Sequence, residues 1–141
     1  MINDGLKLKG KLAISLNGKI IQEVDNLVVT AGKGYVASRM KDTTATAMSH
    51  MAIGSGSTAA AASDTALGNQ LGRVALTSTT VSNAVVTYVA SFPAGTGTGA
   101  VTEAAILNAS SGGTMLCRTV FSVVNTGASD SMTVTWTVTV S

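Results

Sequence analysis

The C-terminal end of the chain alternates apolar residues with threonine more regularly than any other stretch. Side chains two positions apart in a strand lie on the same face of a sheet, so the pattern separates an apolar face from a hydroxyl face. The apolar face consists of Met132, Val134, Trp136, Val138 and Val140, and the hydroxyl face of Thr133, Thr135, Thr137 and Thr139. Such a strand predicts an antiparallel β protein whose final strand covers the core with one face.

Alternating segments and turn residues elsewhere predict further strands. Asn17-Gly18 is the dipeptide best suited to a type I′ turn, and it places a first hairpin over residues 5–25. Ser82-Asn83 marks a second turn. The remaining predicted strands cover residues 48–53, 74–80, Val85–Phe92, 103–108, 114–123 and Met132–Val140.

Helical signals are few. Thr30 is suited to begin a short helix, and Ser63-Asp64 is suited to begin a brief helical turn that runs through Leu67. The helical side chains expected to face the sheet are Tyr35, Val36 and Met40. Residues 42–47, rich in threonine and alanine, are predicted to form a loop.

About eight short strands with one or two short helices are typical of an antiparallel β-sandwich or jelly roll. The length of 141 residues fits one domain that buries a hydrophobic core without disulfides or metals. We therefore expect residues 1–141 to form a single all-β domain, a sandwich or jelly roll. A basic strand or arm is expected at its N-terminus, over about residues 1–11.

Charged residues are scarce, at 11% of the chain, and aromatic residues make up 4%. A surface covered mainly by hydroxyls and small side chains carries little repulsive charge, which favours association with other subunits. The N-terminus lacks the apolar run of a signal peptide, and no stretch approaches the length of a membrane span. We expect a protein made in the cytoplasm that is neither exported by that route nor inserted in a membrane.

Most of the positive charge lies near the N-terminus, where Lys7, Lys9 and Lys11 alternate with apolar residues. The preferred interpretation is that these lysines mark an edge strand and discourage stray pairing there. Contact with an acidic partner surface is the main alternative. Nucleic-acid binding is disfavoured, because the cluster is small and has no interleaved aromatic residues.

Residues that could perform chemistry are isolated from one another. His50 is the only histidine and Cys117 the only cysteine, so one chain cannot assemble a usual zinc site or an internal disulfide. The glycine-rich segments at 54–56 and 95–99 lack the lysine of a phosphate loop. We expect His50 and Cys117 to be structural, and we expect no catalytic residue, no cofactor and no metal.

Arg73 and Arg118 each interrupt an otherwise neutral strand region. A charge in such a position needs a partner, and we expect one of the two arginines to form a buried or intersubunit ion pair, with Glu103 as the candidate acid. The residues proposed to contact a capsid or a second subunit are Lys7, Lys9, Lys11, Arg73 and Arg118.

Three sequence segments of the chain resemble segments of small structural proteins of tailed bacteriophages. They are N-L-V-V-T-A-G-K-G-Y-V-A-S-R-M at 26–40, M-A-I-G-S-G-S-T-A-A-A-A-S-D-T-A-L-G at 51–68, and T-E-A-A-I-L-N-A-S-S-G-G-T-M-L-C-R-T-V-F at 102–121. Together with the threonine-rich last strand, the likeness covers nearly the whole chain. The likeness does not identify any catalytic or binding residue in this chain.

The resemblance implies a virion component without enzymatic activity, and two interpretations compete. A capsid decoration or cement protein would sit on the outer capsid surface as a dimer or trimer and bind the major capsid protein, with no direct contact to nucleic acid or membrane. A tail-fibre, collar or baseplate subunit is the alternative. We prefer cement, because the chain ends directly after its domain. On that view, deletion of residues 1–11 should weaken shell attachment more than folding.

A carbohydrate-binding β-sandwich is a hypothesis from another class. Such a protein would present exposed aromatic side chains to a sugar. Four of the five aromatic residues lie in predicted strands or in the predicted helix, and the fifth, Phe92, precedes Pro93. The placement of the aromatic residues therefore favours a core role.

Overall fold

The computed structural model describes residues 6–41 and 46–141, so predictions on residues 1–5 and 42–45 lie outside the described part of the chain. One helix, α1, spans Thr30–Lys41. The strands are β1 Leu8–Leu16, β2 Lys19–Val28, β3 His50–Gly54, β4 Gln70–Ala75, β5 Ser78–Ser82, β6 Val85–Phe92, β7 Gly99–Leu107, β8 Met115–Thr126 and β9 Met132–Val140.

All nine strands belong to one antiparallel sheet, in the order β4-β3-β7-β8-β2-β1-β9-β6-β5. The prediction of an all-β antiparallel fold is confirmed. Within the described residues, hydrogen bonds connect the strands into one continuous sheet. The backbone pairing therefore does not show the two separate packed sheets of a sandwich or jelly roll.

The sheet curls, and its two halves are joined at a narrow point. β2 and β8 pair over only two positions, Leu27 with Arg118 and Val28 with Cys117. The halves turn toward each other there, and β4 comes close to β6. The core fills the concave side, where the largest fully buried side chains include Leu12, Ile14, Met51, Phe92 and Trp136.

Several local predictions are confirmed. β6 and β9 have the predicted bounds, and the apolar face of β9 packs in the core from Met132 to Val138. Asn17 and Gly18 both have positive φ, at 51° and 84°, as a type I′ turn requires. The strand predicted over 74–80 is divided between β4 and β5, and the following turn is at Asn83-Ala84, one residue later than predicted.

The helix begins at Thr30 as predicted, and Tyr35 and Val36 pack against the core. Met40 was predicted to face the sheet, but its side chain is 78% exposed at the last turn. The helical turn predicted from Ser63 to Leu67 is absent from the described structure, where this segment forms an irregular loop. No helix among residues 6–41 and 46–141 has the length and apolar character needed to cross a membrane.

The edge-strand interpretation of the lysines is wrong. β1 lies between β2 and β9, so its backbone groups are paired on both sides. Sheet pairing begins close to the start of the described chain, because Lys7 exchanges two backbone hydrogen bonds with Ser141. Deletion of residues 1–11 would remove the pairs that residues 8–11 make with β9, and we expect it to impair folding as well as attachment.

Candidate functional site

A buried ion pair joins neighbouring strands on the convex side of the sheet. Glu103 of β7 and Arg118 of β8 lie diagonally across the ladder, since Arg118 is directly opposite Ala105. The guanidinium donates to Glu103 Oε1 from Nε at 3.1 Å and from Nη2 at 3.0 Å. Glu103 has no exposed surface, and Arg118 retains 2% exposure. The ion pair predicted for one of the two arginines is therefore formed within the chain, at Arg118.

The remaining donors of Arg118 hold the loop between β3 and β4, residues 55–69. Its Nη1 donates to Asp64 Oδ2 at 2.8 Å, and its Nη2 donates to the carbonyl of Thr58 at 3.0 Å. Asp64 also accepts from the backbone N–H of Ala61 at 2.8 Å. We call Glu103, Arg118 and Asp64 the Glu103 cluster.

Backbone N–H groups of the same loop converge on the Glu103 carboxylate. Gly56 donates to Oε2 at 2.6 Å, Asn69 donates to Oε2 at 2.8 Å, and Gly68 donates to Oε1 at 2.8 Å. A Cβ at position 56 would overlap the carboxylate, so this close approach requires glycine. The buried charge is thus compensated by one guanidinium and three amides.

The hydrogen bonds decide the charge state of the Glu103 cluster. Burial alone would raise the pKa of Glu103, but donors from Asn69, Gly68, Gly56 and Arg118 together hold it below its usual range. The pKa of Asp64 is also lowered, chiefly by the hydrogen bond from Ala61 and further by Arg118, against an opposing contribution from burial. Both carboxylates are ionised at neutral pH, and the cluster acts as a structural attachment for the 55–69 loop.

The loop and the strands beneath it enclose a second apolar cluster, on the face opposite the main core. Its buried members are Val29, Ala52, Ala105, Leu107 and Met115, with Leu67 of the loop packed against them. β3 and β7 are consequently buried on both faces. Arg118 is an interior residue of this layer, so it does not lie on the surface proposed for partner contact.

The other proposed contact residues are distributed over separate surfaces. Lys9 and Lys11 are exposed on β1, where Lys11 lies 3.7 Å from Glu23 of β2. Lys7 precedes that strand. Arg73 of β4 donates to the carbonyls of Ala109 and Gly112, each at 2.9 Å, and to the side chain of Gln70. These residues do not form one patch.

The lone cysteine and the lone histidine, Cys117 and His50, do not belong to a catalytic triad or a metal site in the described part of the chain. Cys117 is buried, and burial raises the pKa of its thiol. Ser49 Oγ lies 2.7 Å from His50 Nδ1, a contact between chain neighbours. In the described part of the chain, no carboxylate hydrogen-bonds that imidazole as in a Ser-His-Asp triad. Nor do three metal-ligating side chains come together among residues 6–41 and 46–141.

An apolar groove opens along α1 from Lys33 to Met40, between the helix, the start of β1 and the end of β9. Its volume is about 580 Å³. Met40 is 78% exposed there and Leu6 is 70% exposed. The groove, which we call the α1 groove, is lined by Leu6, Lys7, Leu8, Lys33, Val36, Met40 and Val140. Its rim is basic, since its two charged lining residues in the described chain are lysines.

The α1 groove continues along the concave face of the sheet toward β5. A second depression of about 340 Å³ shares Leu8, Val36 and Val140 with it and reaches Val81 and Val86. Sequence reasoning missed this surface, because it assigned Met40 to the core. The exposed aromatic side chains expected of a carbohydrate site are not found here: Trp136, Phe92, Tyr88 and Phe121 are buried and Tyr35 is half-buried.

Comparison of the chain with known proteins returns nothing: no family model, no curated protein and no solved structure matches it.

Proposed function

We propose that the chain is a non-enzymatic structural subunit of a tailed-bacteriophage virion. More specifically, the chain would be a capsid decoration protein that binds the outside of the head shell and stabilises contacts between major capsid protein subunits. The three phage-like sequence phrases and the weakly charged surface support this proposal.

The observation that carries the proposal is the α1 groove. A solvent-open apolar groove with a polar rim is typical of a protein contact site. The lysines at its rim, Lys7 and Lys33, favour a partner surface that presents apolar side chains flanked by carboxylates. We assign the contact with the major capsid protein to this groove, which contains Lys7 of the predicted set but not Lys9, Lys11, Arg73 or Arg118.

The arrangement would stabilise a shell by additive burial. A contact of about 800 Å² per partner is enough for specific association, and many symmetric copies turn a modest individual affinity into a large total stabilisation.

We propose further that the curled sheet has the architecture of a β-sandwich. Its two halves face one another across a single core, and β4 lies beside β6.

The test is binding of purified protein to heads of the phage that encodes it, measured by co-sedimentation. Met40→Glu places a charge in the groove at a side chain that is already 78% exposed, so folding should be unchanged. We expect it to weaken binding by about tenfold or more. Val123→Glu is the matched control, because Val123 is 53% exposed and does not line the groove.

Images of labelled protein on the virion separate the two locations. Label over the head supports decoration, and label confined to the tail supports the fibre, collar or baseplate alternative. Failure to bind either part of the particle would contradict the virion proposal itself.

A further inference from the structure

The two edge strands of the sheet differ in their contacts and exposure. β4 forms one edge, and its Arg73 side chain is tied to the carbonyls of Ala109 and Gly112. β5 forms the other edge, and all five of its residues, Ser78–Ser82, are exposed. An open edge presents unpaired backbone groups to any compatible strand.

The β5 edge carries neither charge nor proline. No charged residue occurs between Arg73 and Glu103, so β5 and its partner strand β6 contain no lysine, arginine, aspartate or glutamate. β5 also contains no proline. Charges and prolines are how soluble β proteins commonly prevent pairing at an edge.

The hairpin geometry identifies which backbone groups are open. The turn at Asn83-Ala84 has two residues, so Ser82 and Val85 flank it as a pair that exchanges both hydrogen bonds. Because such pairs alternate along the ladder, Thr80 also bonds β6. The N–H and C=O groups of Thr79 and Val81 therefore point away from β6.

We propose that β5 pairs antiparallel with β5 of a second copy of this chain, about a two-fold axis at Thr80. This register places Thr79 opposite Val81 of the second copy and Thr80 opposite itself. A β5–β5 pair contains no charge on either side, so no like charges meet.

Val81 gives the pairing an apolar contribution. Its side chain is 70% exposed and lies on the concave face beside Val86, because Val81 and Val86 are cross-strand partners. In the proposed register the second copy's strand covers this side chain. A pair of five-residue strands buries less than the roughly 800 Å² per partner of a standard interface, so we expect a dimer that depends on concentration. The proposal does not rest on virion function.

Sedimentation equilibrium over a range of protein concentrations tests the pairing. Thr80 is exposed, so Thr80→Lys and Thr80→Glu should fold normally, as circular dichroism would verify. Each variant places like charges opposite each other at the two-fold axis, and we expect each to weaken the dimer by about fivefold. An equimolar mixture of the two should associate more tightly than either alone, because lysine then meets glutamate.

Ser91→Lys is the matched control. Ser91 is exposed on the same face as Thr80, but it lies on β6, which is not an edge strand, so the dimer should persist. A wild-type chain that stays monomeric at millimolar concentration would overturn the proposal. So would a dimer that survives both charge variants, or a lysine–glutamate mixture no tighter than its components.

Oxidative cross-linking provides a second readout. Thr80→Cys should form a disulfide between copies, because directly opposed residues of a non-hydrogen-bonded pair bring their Cβ atoms close together. The native Cys117 is buried and does not compete. Ser91→Cys should remain uncross-linked under the same conditions, and equal cross-linking of the two variants would count against the register.

Discussion

The sheet differs in its use of charge between two regions. One is the loop side, where the 55–69 loop lies against β7 and β8, and the other is the β5–β6 hairpin. On the loop side, three charged residues lie partly or wholly inside the protein and hold the 55–69 loop against β7 and β8. The hairpin has no charged residue, and its outer strand is exposed along its whole length. Three of the chain's few charges hold the loop, and none lies on the β5–β6 hairpin.

This weakly charged protein buries an ion pair because a covered loop needs hydrogen-bond acceptors. The 55–69 loop has little regular structure, and its backbone N–H groups need acceptors when they are covered. Glu103 accepts from three of them and Arg118 compensates its charge, so a polar loop can cover the convex side of β3 and β7. The β5 edge has solvent for its backbone groups and needs no such compensation.

The largest expected effect is at the Glu103 cluster. Arg118→Ala leaves a buried carboxylate without its counter-charge and should lower the free energy of unfolding by about 3–5 kcal/mol at neutral pH. Urea unfolding measures this loss. Lys11→Ala is the control for removing a charge from an exposed pair, and it should cost less than about 1 kcal/mol. Equal effects of the two replacements would remove the distinction between the loop side and the rest of the sheet.

An intermediate effect is expected where α1 packs against β8. A Cβ on Gly32 would overlap the backbone of Leu116 in β8, whereas a Cβ on Gly34 would meet nothing within 4 Å. Gly32→Ala should therefore destabilise the fold by about 1–3 kcal/mol. Gly34→Ala should stabilise it by roughly 0.5–1 kcal/mol, through helix propensity. Thermal unfolding of both variants checks this, and shifts of the same sign would show that α1 does not pack closely on β8.

The smallest expected effect is on the hairpin. Thr80→Lys should change the free energy of unfolding of the monomer by less than about 0.5 kcal/mol, because the side chain is exposed and has no partner to lose. Urea unfolding at dilute concentration measures it. A loss of more than about 1 kcal/mol would mean that the neutral edge is needed for folding itself and would weaken its link to association.

The sequence predicted well what depends on near neighbours. The alternation of β9, the bounds of β6 and the Asn17-Gly18 turn follow from side-chain periodicity and local backbone preference, and the structure confirms them. An ion pair with Glu103 was also predictable for one of the two arginines, because a charge in an apolar strand must find a counter-charge, but the sequence did not say which arginine forms it.

Strand order and loop paths were not predictable in the same way. Alternation in β1 shows which face is buried, but it does not say whether one or two strands lie alongside, so the lysines were assigned to an edge. The amides that bind Glu103 come from a loop 34 to 47 residues away in sequence. Met40 was misplaced because helical periodicity puts it near Val36 on the helix surface but does not say how far along α1 the contact with the sheet extends.

The most direct test of this account is amide hydrogen exchange of the 55–69 loop and of the β5–β6 hairpin as the pH falls. Because the pKa of Glu103 is lowered in the folded protein, its contribution to stability is complete above its ordinary value of 4.5 and is lost below it. Asp64 adds a loss of the same sign below 3.8. Between about pH 7 and about pH 3, the protection factors of Gly56, Gly68 and Asn69 should fall well before those of the hairpin. Parallel loss of protection in both regions, or loss in the hairpin first, would contradict the claim that the Glu103 cluster holds the 55–69 loop and not the hairpin.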